Sequence, residues 1–237
     1  MLVNFRFKNC RSFFEETELS MEAEKASEHR EINTFSVDDS FLKGSNNELL
    51  KSAVIFGGNA SGKTNVLKAL AYMKNVLLLS ASQFPIVSHN EFYAFYDYAR
   101  DEESVYEVEI IQNGSYYRYG FSLLNGVIKS EWLDRRKDRL TPVFKRVDNN
   151  LEISGLPKQA SKLINISPQT LFLSVSNNFQ LDINSYMVDV MTWFSNLYIV
   201  FENDANILDI YTLENGKYRD QALKILKLAD IGIRNIR

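Results

Sequence analysis

A glycine-rich segment between two apolar stretches constrains the fold and function of this chain more than any other feature. Residues 57–64 read Gly-Gly-Asn-Ala-Ser-Gly-Lys-Thr and match the pattern G-x-x-x-x-G-K-[ST] at every fixed position. Residues 52–56 form a short apolar run that predicts a buried strand, and residues 65–73 carry apolar side chains at a helical period. The sequence therefore predicts a strand, a glycine-rich loop and a helix, the context in which this pattern cradles phosphate.

The chemistry of phosphate binding explains the residue types. Backbone N–H groups must approach a polyphosphate closely, so glycine recurs in the loop, and the helix beginning near Lys63 adds the positive end of its dipole. We expect Lys63, the candidate catalytic residue, to reach the β- and γ-phosphates, and the Thr64 hydroxyl to ligate Mg²⁺. The chain is predicted to bind a nucleoside triphosphate with magnesium. The candidate nucleotide-binding residues of this segment are Gly57, Gly58, Asn59, Ala60, Ser61, Gly62, Lys63, Thr64 and Asn65.

The composition is that of an ordinary globular protein. The 237 residues are 45% hydrophobic and 13% aromatic, enough for one large or two small domains with a packed core. The net charge of -3 is spread along the chain, so no basic stripe indicates a nucleic-acid surface, and contact with DNA is unsupported.

Cysteine, histidine and apolar runs exclude other classes. Cys10 is the sole cysteine, and His29 and His89 are the two histidines, so neither a disulfide framework nor a Cys/His zinc site can be assembled. The first fifteen residues lack a continuous apolar stretch, and no run approaches the length of a membrane span. A cytoplasmic protein without a membrane partner is expected.

Two short strands are predicted ahead of the glycine-rich loop. Residues 2–7 alternate apolar and polar, which predicts an edge strand with one buried face, and residues 17–21 predict a second strand. Residues 22–47 are polar, charged and aperiodic, and predict a long loop or a loosely ordered insertion. The helix after the glycine-rich loop is expected to end near Leu79, ahead of Pro85.

An antiparallel meander is predicted after this helix. Residues 104–111, 115–123 and 127–133 alternate as strands do, and turn residues join them. Connections of two to four residues can join only antiparallel neighbours, because a parallel pair needs a longer crossover. A further pair of strands is predicted at 143–147 and 151–153. The expected cross-strand partners are Tyr106, Val108 and Ile110 in one strand and Tyr117, Tyr119 and Phe121 in the next.

Beyond the meander the pattern becomes helical, with residues 185–194 and 217–228 as the better candidates. We expect three parts: residues 1–80 with the N-terminal strands and P-loop core, residues 81–155 with the antiparallel β subdomain, and residues 156–237 as a helical region.

The order of these motifs resembles a known family. The strand, the motif Asn-x-Arg-Ser-Phe at residues 9–13, the second strand and the GxNxSGKT loop are similar to the N-terminal lobe of ABC-type ATPase heads, as in SMC, RecF and OLD-family proteins. Residues 117–121, 130–133, 171–174 and 193–194 resemble bacterial AAA-family, ABC-type ATP-binding proteins of abortive-infection and other phage-defence operons. The resemblance implies an α/β P-loop NTPase fold with an ABC-ATPase-like N-terminal lobe, ATP and Mg²⁺ as cofactors, and a homodimer of ATPase heads.

The same resemblance implies roles for individual residues. Arg11 would contact the nucleotide phosphates, and the alternative is a surface or turn arginine. Asn59 would stabilise the loop or contact the phosphate region. The family's glutamine after the P-loop helix has no secure match: Gln83 is nearest in order, while Gln112 lies beside a hairpin turn.

Hydrolysis in this family also needs a Walker B strand ending in Asp-Glu, a signature loop and a switch histidine, and the sequence matches none of them. Residues 197–202 imitate an apolar run followed by an acid, but they lack the acidic pair, and a buried strand or helix edge is the favoured interpretation. We therefore expect a fragment or split gene product that stops before Walker B and binds ATP far better than it hydrolyses it.

Two functions from different classes stay open. The first is an ATPase module that, once completed, hydrolyses ATP to drive a switch in phage defence or DNA-linked surveillance, with an effector protein from the same operon. The second is a non-hydrolysing, nucleotide-dependent regulatory or binding module that ATP stabilises. A small-molecule kinase is disfavoured, because such kinases continue with alternating strands and helices after the P-loop.

Overall fold

A seven-stranded sheet, in which neighbouring strands pair antiparallel, is the main element of the computed structural model. The structure describes residues 1–24, 29–38, 41–42, 47–82, 86–136, 139–157, 164–176 and 184–201, together with positions 220 and 224. The strands, in the order in which they lie side by side, are β2 (Thr17–Ser20), β1 (Leu2–Lys8), β5 (Ser104–Gln112), β6 (Ser115–Leu124), β7 (Val127–Arg136), β8 (Leu140–Val147) and β9 (Asn150–Ile153).

Further elements are a two-stranded sheet and a set of helices. Strands β3 (Thr34–Ser36) and β4 (Glu48–Leu50) pair antiparallel. The α-helices are α1 (Arg30–Asn33), α2 (Lys63–Leu79), α3 (Phe172–Val175) and α4 (Asn184–Ser195), and 3₁₀ helices span Ile86–His89 and Asp97–Asp101. None of the helices in the described part of the chain combines the length and apolarity that crossing a lipid bilayer requires.

The chain divides into two compact units, residues 1–197 and residues 198–237. All the elements named above lie in the first unit. In the second unit, residues 198–201 lack regular secondary structure and positions 220 and 224 are helical.

The predicted antiparallel meander is confirmed. Strands β5, β6 and β7 are joined by the turns Asn113-Gly114 and Asn125-Gly126, whose four residues all have positive φ, as in tight hairpin turns. The six predicted side chains are all fully buried. The two predicted sets of partners also lie opposite each other, and the observed register places Tyr106 opposite Phe121, Val108 opposite Tyr119 and Ile110 opposite Tyr117.

Strand β1 lies inside the sheet, whereas the sequence predicted an edge strand. It pairs with β2 on one side and with β5 on the other, so that Phe5 faces both Leu19 and Val108. The alternation correctly marked Val3, Phe5 and Phe7 as buried. Alternation reports which side of a strand is covered, but it does not report which strands lie alongside. The edge position belongs to β2.

Helices α2 and α4 pack on the face of the sheet that carries Tyr106, Tyr117 and Tyr119. The rings of Tyr72 in α2 and Tyr106 in β5 are 5.2 Å apart, and those of Tyr119 in β6 and Phe194 in α4 are 6.2 Å apart. Both helices were predicted, and α2 ends at Leu79 as expected. The buried residues of α2 recur every three or four positions and are Val66, Ala69, Leu70, Met73, Val76 and Leu77.

Glu131 of β7 connects the start of α3 to the large sheet through hydrogen bonds. Its side chain is fully buried, and its two carboxylate oxygens accept hydrogen bonds from the backbone N–H groups of Phe172 at 2.6 Å and Leu173 at 3.0 Å. The Tyr119 hydroxyl donates a third hydrogen bond at 3.1 Å. Burial raises the pKa of Glu131 to about 7, although these hydrogen bonds and the charge of Arg146 act in the opposite direction.

The predicted buried strand over residues 52–56 is wrong. Residues 52–58 have no regular secondary structure, and Val54 and Phe56 are 71% and 88% exposed. The apolar run indicates a segment that would gain from burial. A strand, however, is stable only beside partners, and none of the strands in the described part of the chain pairs with this one.

The predicted long loop over residues 22–47 contains regular structure. Helix α1 and strand β3 lie in its described part, and β3 pairs with β4. Leu49 of β4 is buried in a hydrophobic cluster with Ile111 and Tyr116 of the large sheet. The polar composition of residues 22–47 does not indicate the pairing of β3 with β4, because the burial of this pair depends on side chains distant in sequence.

Three other predictions concern the C-terminal part. Residues 197–201 lack regular structure, and Tyr198 is 78% exposed, so the predicted buried strand or helix edge is wrong there, while Glu202 lies outside the described residues. Apart from positions 220 and 224, the predicted helix over 217–228 also lies outside them. The division of the chain at residues 80 and 155 stays a prediction, and strands from both sides of residue 80 share the large sheet.

Candidate functional site

The glycine-rich loop of residues 57–62 directly precedes helix α2, and the side chain of the first helical residue spans it. Lys63 Nζ donates hydrogen bonds to the carbonyl oxygens of Gly57 and Gly58 at 2.8 and 2.6 Å. An ammonium group has three donors and no acceptor. The cation is therefore held over the start of the loop, with its third N–H directed at no acceptor among the described residues.

Several backbone N–H groups lie at the junction between the glycine-rich loop and helix α2. The Ser61 N–H donates to Gly58 O at 3.3 Å, and the Asn65 N–H donates to Gly62 O at 2.8 Å. The N–H groups of Gly62, Lys63 and Thr64 have no acceptor within the part of the chain that the structure describes. The first N–H groups of a helix lack intrahelical partners, and they point along the positive end of the helix dipole. The arrangement suits an anion.

Two glycines of the loop occupy positions where a side chain would collide. Gly62 has a φ of +92°, and a Cβ there would lie 2.7 Å from Ser12 Oγ. A Cβ on Gly57 would lie 2.6 Å from Ser61 Oγ, whereas one on Gly58 would meet no atom within 4 Å. Gly62 therefore allows the loop to touch the turn that follows β1.

That turn comprises residues 10–13. Two hydrogen bonds close it, from the Cys10 N–H to Phe13 O at 2.8 Å and from the Phe13 N–H to Cys10 O at 2.9 Å. Asn65 Nδ2 donates a hydrogen bond of 3.0 Å to Ser12 Oγ. The turn is thereby attached to the first turn of α2.

Asn9 fixes the other side of this turn. Its side chain is fully buried, and Nδ2 donates to the carbonyl oxygens of Ala99 at 2.7 Å and Glu102 at 3.0 Å. Its Oδ1 accepts a hydrogen bond of 3.0 Å from the Tyr93 N–H. Asn9 thus binds the turn to the segment of residues 91–102.

Arg11, the predicted phosphate contact, lies in this turn and pairs with Glu91. Its guanidinium contacts the two carboxylate oxygens of Glu91 at 2.7 and 2.8 Å. The backbone N–H of Arg11 also donates a hydrogen bond of 2.7 Å to the backbone carbonyl oxygen of Glu91. Arg11 holds a φ of 53°, a left-handed conformation that is uncommon for a residue with a long side chain. The resemblance that assigned this arginine to phosphate did not identify Glu91.

A cavity of about 530 Å³ lies between the turn and the segment of residues 91–100. Ser12 and Asn65 line it, as do the aromatic side chains of Phe92, Phe95 and Tyr96. Sequence reasoning did not place these aromatic residues in the site. The signal available was their density, because five of the seven residues from 92 to 98 are Phe or Tyr.

The structure brings some of the predicted site residues together and not others. The loop, Asn65 and the turn of Arg11 are adjacent, and Thr64 is exposed on the first turn of α2. Ala60 holds a left-handed φ of 62°, and Asn59 is exposed within the loop. Gln83 lies outside the described residues. Within them, no three His, Cys, Asp or Glu side chains group as the ligands of a metal ion would.

Comparison with known proteins supplies one match. The sequence profile of a family described as "AAA domain, putative AbiEii toxin, Type IV TA system" matches residues 52–236. This span covers more than half of the chain and includes the glycine-rich loop, α2 and the meander. A search of curated proteins finds no match.

Proposed function

The chain belongs to this AAA domain family, and on that premise we propose that it is an ATP-binding module of an ABC-type ATPase. AAA domains are P-loop ATPases that generally use ATP and Mg²⁺. The observation that carries the proposal is the set of N–H groups at Gly62, Lys63 and Thr64 that have no acceptor among the described residues, together with the Lys63 ammonium. Backbone N–H donors, the N-terminus of a helix and a cation thus occur within residues 57–64, and a triphosphate is an anion that suits all of them.

Each part of the loop has an inferred role. The backbone of residues 57–62 surrounds the phosphates, and Lys63 exchanges its bonds to the loop carbonyls for bonds to the β- and γ-phosphates. Thr64 is exposed in the first helical turn, so its hydroxyl is available to Mg²⁺, which takes few protein ligands and neutralises phosphate charge when bound. The fit of the loop to a triphosphate depends on Gly62, because a side chain there would separate the loop from the turn of residues 10–13.

The ABC type is favoured by what surrounds the loop. An N-terminal strand and turn pack against the loop, and an antiparallel sheet lies under helix α2. A small-molecule kinase would instead continue from α2 into alternating strands and helices. The proposal includes Arg11 as a phosphate contact after it leaves Glu91.

The proposal has a second step. Two such ATPase heads form a homodimer, hydrolyse ATP and drive a switch in phage defence or DNA-linked surveillance through an effector protein. The support for this step is the resemblance of residues 9–13, 130–133 and 171–174, together with a family description that names an AbiEii toxin and a type IV TA system.

The test is calorimetric titration of the chain with Mg²⁺-ATP. Lys63→Ala removes the cation beside the free N–H groups, so the affinity should fall at least about tenfold, on the order of 1.4 kcal/mol. Lys68→Ala, a substitution of the same kind five residues further along α2, is the matched control and should leave the affinity unchanged. An unaltered affinity in a folded Lys63→Ala variant would refute the loop as the nucleotide site.

A further inference from the structure

A cluster of exposed aromatic rings lies where the segment of residues 91–102 meets Phe14. The Phe14 ring packs edge-on against Tyr96 at 5.1 Å and against Tyr98 at 5.4 Å, and Tyr96 stacks on Tyr98 at 5.1 Å. Tyr93 completes the cluster, 4.8 Å from Tyr96. We call these four side chains the aromatic patch. Because Tyr96 and Tyr98 are 42% and 55% exposed, the patch presents ring surface to solvent.

Nucleotide binding at the glycine-rich loop makes no use of the aromatic patch. Of its four rings, Tyr96 lines the cavity beside the loop and the other three do not. A contiguous group of exposed aromatic side chains is typical of a surface that contacts another protein. Tyrosine is enriched at such interfaces, because it combines a large apolar ring with a polar hydroxyl. The patch is therefore a candidate interaction surface.

Negative charge surrounds the aromatic patch. Residues 91–103 carry five carboxylates and one arginine, a formal charge of -4, whereas the whole chain sums to -3. Glu15 and Glu16 match in number the two cations nearby, Lys8 and Arg11, so counting these four leaves the sum unchanged. A surface of this charge repels phosphate groups, so nucleic acids and anionic membranes are unfavourable partners. It attracts a cationic partner.

The surrounding carboxylates act directly on the Tyr98 hydroxyl. Its pKa is raised above the ordinary value of tyrosine by partial desolvation, by the Tyr96 hydroxyl and by the charges of Glu15 and Glu102. These groups therefore disfavour a negative charge at Tyr98. The same charges favour a positive group placed there, because the sign of the interaction is reversed.

The chain places cations of its own on aromatic rings in this region. Lys8 Nζ lies 6.0 Å from the centre of the Phe14 ring and pairs with the Glu102 carboxylate at 3.7 Å. The Arg100 guanidinium lies 5.5 Å from the centre of the Phe92 ring. Cations are attracted to the faces of aromatic rings. An arginine suits such a surface better than a lysine, because its planar guanidinium stacks on a ring while its N–H groups bond to carboxylates.

We propose that the aromatic patch binds an arginine-rich segment of a partner protein. A guanidinium of this segment lies on the open ring surface of Tyr96 and Tyr98, and its N–H groups bond to the carboxylates of Glu15 and Glu102. Further cations of the segment pair with the other acidic side chains of residues 91–103. The proposal goes beyond nucleotide binding and does not depend on it, since the glycine-rich loop contributes no group to the patch.

The experiment measures the binding of defined peptides by fluorescence anisotropy. A labelled peptide of four Gly-Arg repeats and one of four Gly-Lys repeats are titrated with the unmodified chain and its variants at low salt. The Gly-Arg peptide should bind more tightly than the Gly-Lys peptide. Tyr98→Leu should weaken Gly-Arg binding about two- to fivefold, the size of an exposed contact between a cation and a ring, and should reduce the preference for arginine. Tyr98→Phe keeps the ring and should retain both.

Matched variants separate the aromatic patch from general attraction between charges. Glu15→Gln should also weaken Gly-Arg binding, by roughly twofold or more. Glu31→Gln, the same change of an exposed glutamate in α1, should leave it unchanged. Phe35→Leu removes an exposed ring on β3 and should likewise have no effect. Thermal unfolding checks that each variant is folded, and the exposure of Tyr98 and Glu15 makes their substitutions mild.

Two results would overturn the proposal. The first is Gly-Arg binding that is absent, or that is equally tight in the unmodified chain, Tyr98→Leu and Glu15→Gln. The second concerns a labelled oligothymidylate of eight nucleotides: tighter binding than that of the Gly-Arg peptide, weakened by Tyr98→Leu, would assign the patch to nucleic acid instead. Either result leaves the proposed nucleotide site standing, because Lys63→Ala tests that site separately.

Discussion

The side-chain amide of Asn65 donates a hydrogen bond of 3.0 Å to the hydroxyl of Ser12, joining the first turn of α2 to the turn that follows β1. The two residues are 53 positions apart in the chain. Gly62 lies against the same hydroxyl, since a Cβ there would approach it to 2.7 Å. Changes in the N-terminal turn should therefore alter the glycine-rich loop, and changes in the loop should alter the turn.

Gly62→Ala should destabilise the chain even without nucleotide. The substitution places a side chain at φ +92° and 2.7 Å from Ser12 Oγ, so the expected loss is roughly 1–3 kcal/mol. Thermal unfolding in the absence of nucleotide measures it. Gly58→Ala is the matched control, because a Cβ there meets no atom within 4 Å, and it should leave the midpoint nearly unchanged. Equal midpoints for both variants would contradict the contact between loop and turn.

Arg11→Asn should weaken ATP binding, and Glu91→Gln should not. Asparagine tolerates the left-handed φ of 53° observed at position 11, so the variant removes the cation without straining the turn. We expect a loss of roughly three- to tenfold in affinity, the size of one exposed charge-assisted contact. Glu91→Gln removes the carboxylate that holds the guanidinium at 2.7 and 2.8 Å, so ATP should bind as well or better. Titration calorimetry measures both, and a weaker ATP complex for Glu91→Gln would assign Arg11 a structural role alone.

The stability of the fold should fall as pH rises through neutrality, because of Glu131. Burial raises its pKa from 4.5 to about 7, so between these values the folded chain binds a proton that the unfolded chain releases. The contribution of the protonated Glu131 carboxyl to the free energy of unfolding is fully present below about pH 4.5, and it is lost as pH rises through 7. The expected loss is roughly 3 kcal/mol.

Urea unfolding between pH 5 and 8 tests this pH dependence. Glu131→Gln should flatten the decline relative to the unmodified chain, since the amide does not titrate. Glu103→Gln changes an exposed glutamate beside the same sheet and should leave the slope as it was. Parallel pH profiles for Glu131→Gln and the unmodified chain would contradict the elevated pKa.

Elements with local signals were predictable from the sequence. The turns Asn113-Gly114 and Asn125-Gly126 determine both the direction and the register of their hairpins, because few residues adopt the required positive φ. The length of α2 followed from apolar spacing and from the polar residues after Leu79. Each of these signals lies within a few residues of the feature that it predicts.

Elements that depend on distant partners were not predictable. The apolar run at residues 52–56 has the composition of a buried strand, but burial requires neighbours that a local pattern cannot supply. The position of β1 depends on β5, and an alternating pattern is the same for an inner strand and an edge strand.

The candidate site also has one part with a local sequence signal and another part that depends on distant partners. Eight consecutive residues are enough to predict a phosphate-binding loop, because the donors of such a loop are its own backbone N–H groups. The pairing of Arg11 with Glu91 and the position of Phe95 depend on Asn9, which links both sides of the cavity through buried hydrogen bonds. An asparagine outside any regular pattern carries no local sign of such a role.

The long-range pairing of β1 with β5 has a consequence for synthesis. A nascent chain emerging from the ribosome presents the glycine-rich loop complete before β5 has been translated. Until residues 91–102 follow, Asn9 lacks the carbonyl oxygens of Ala99 and Glu102, and Arg11 lacks Glu91. Contacts so distant in sequence form late and slowly. A ribosome-bound chain that ends before this segment therefore carries the glycine-rich motif and the turn of residues 10–13, but it lacks the partners that fix Asn9 and Arg11.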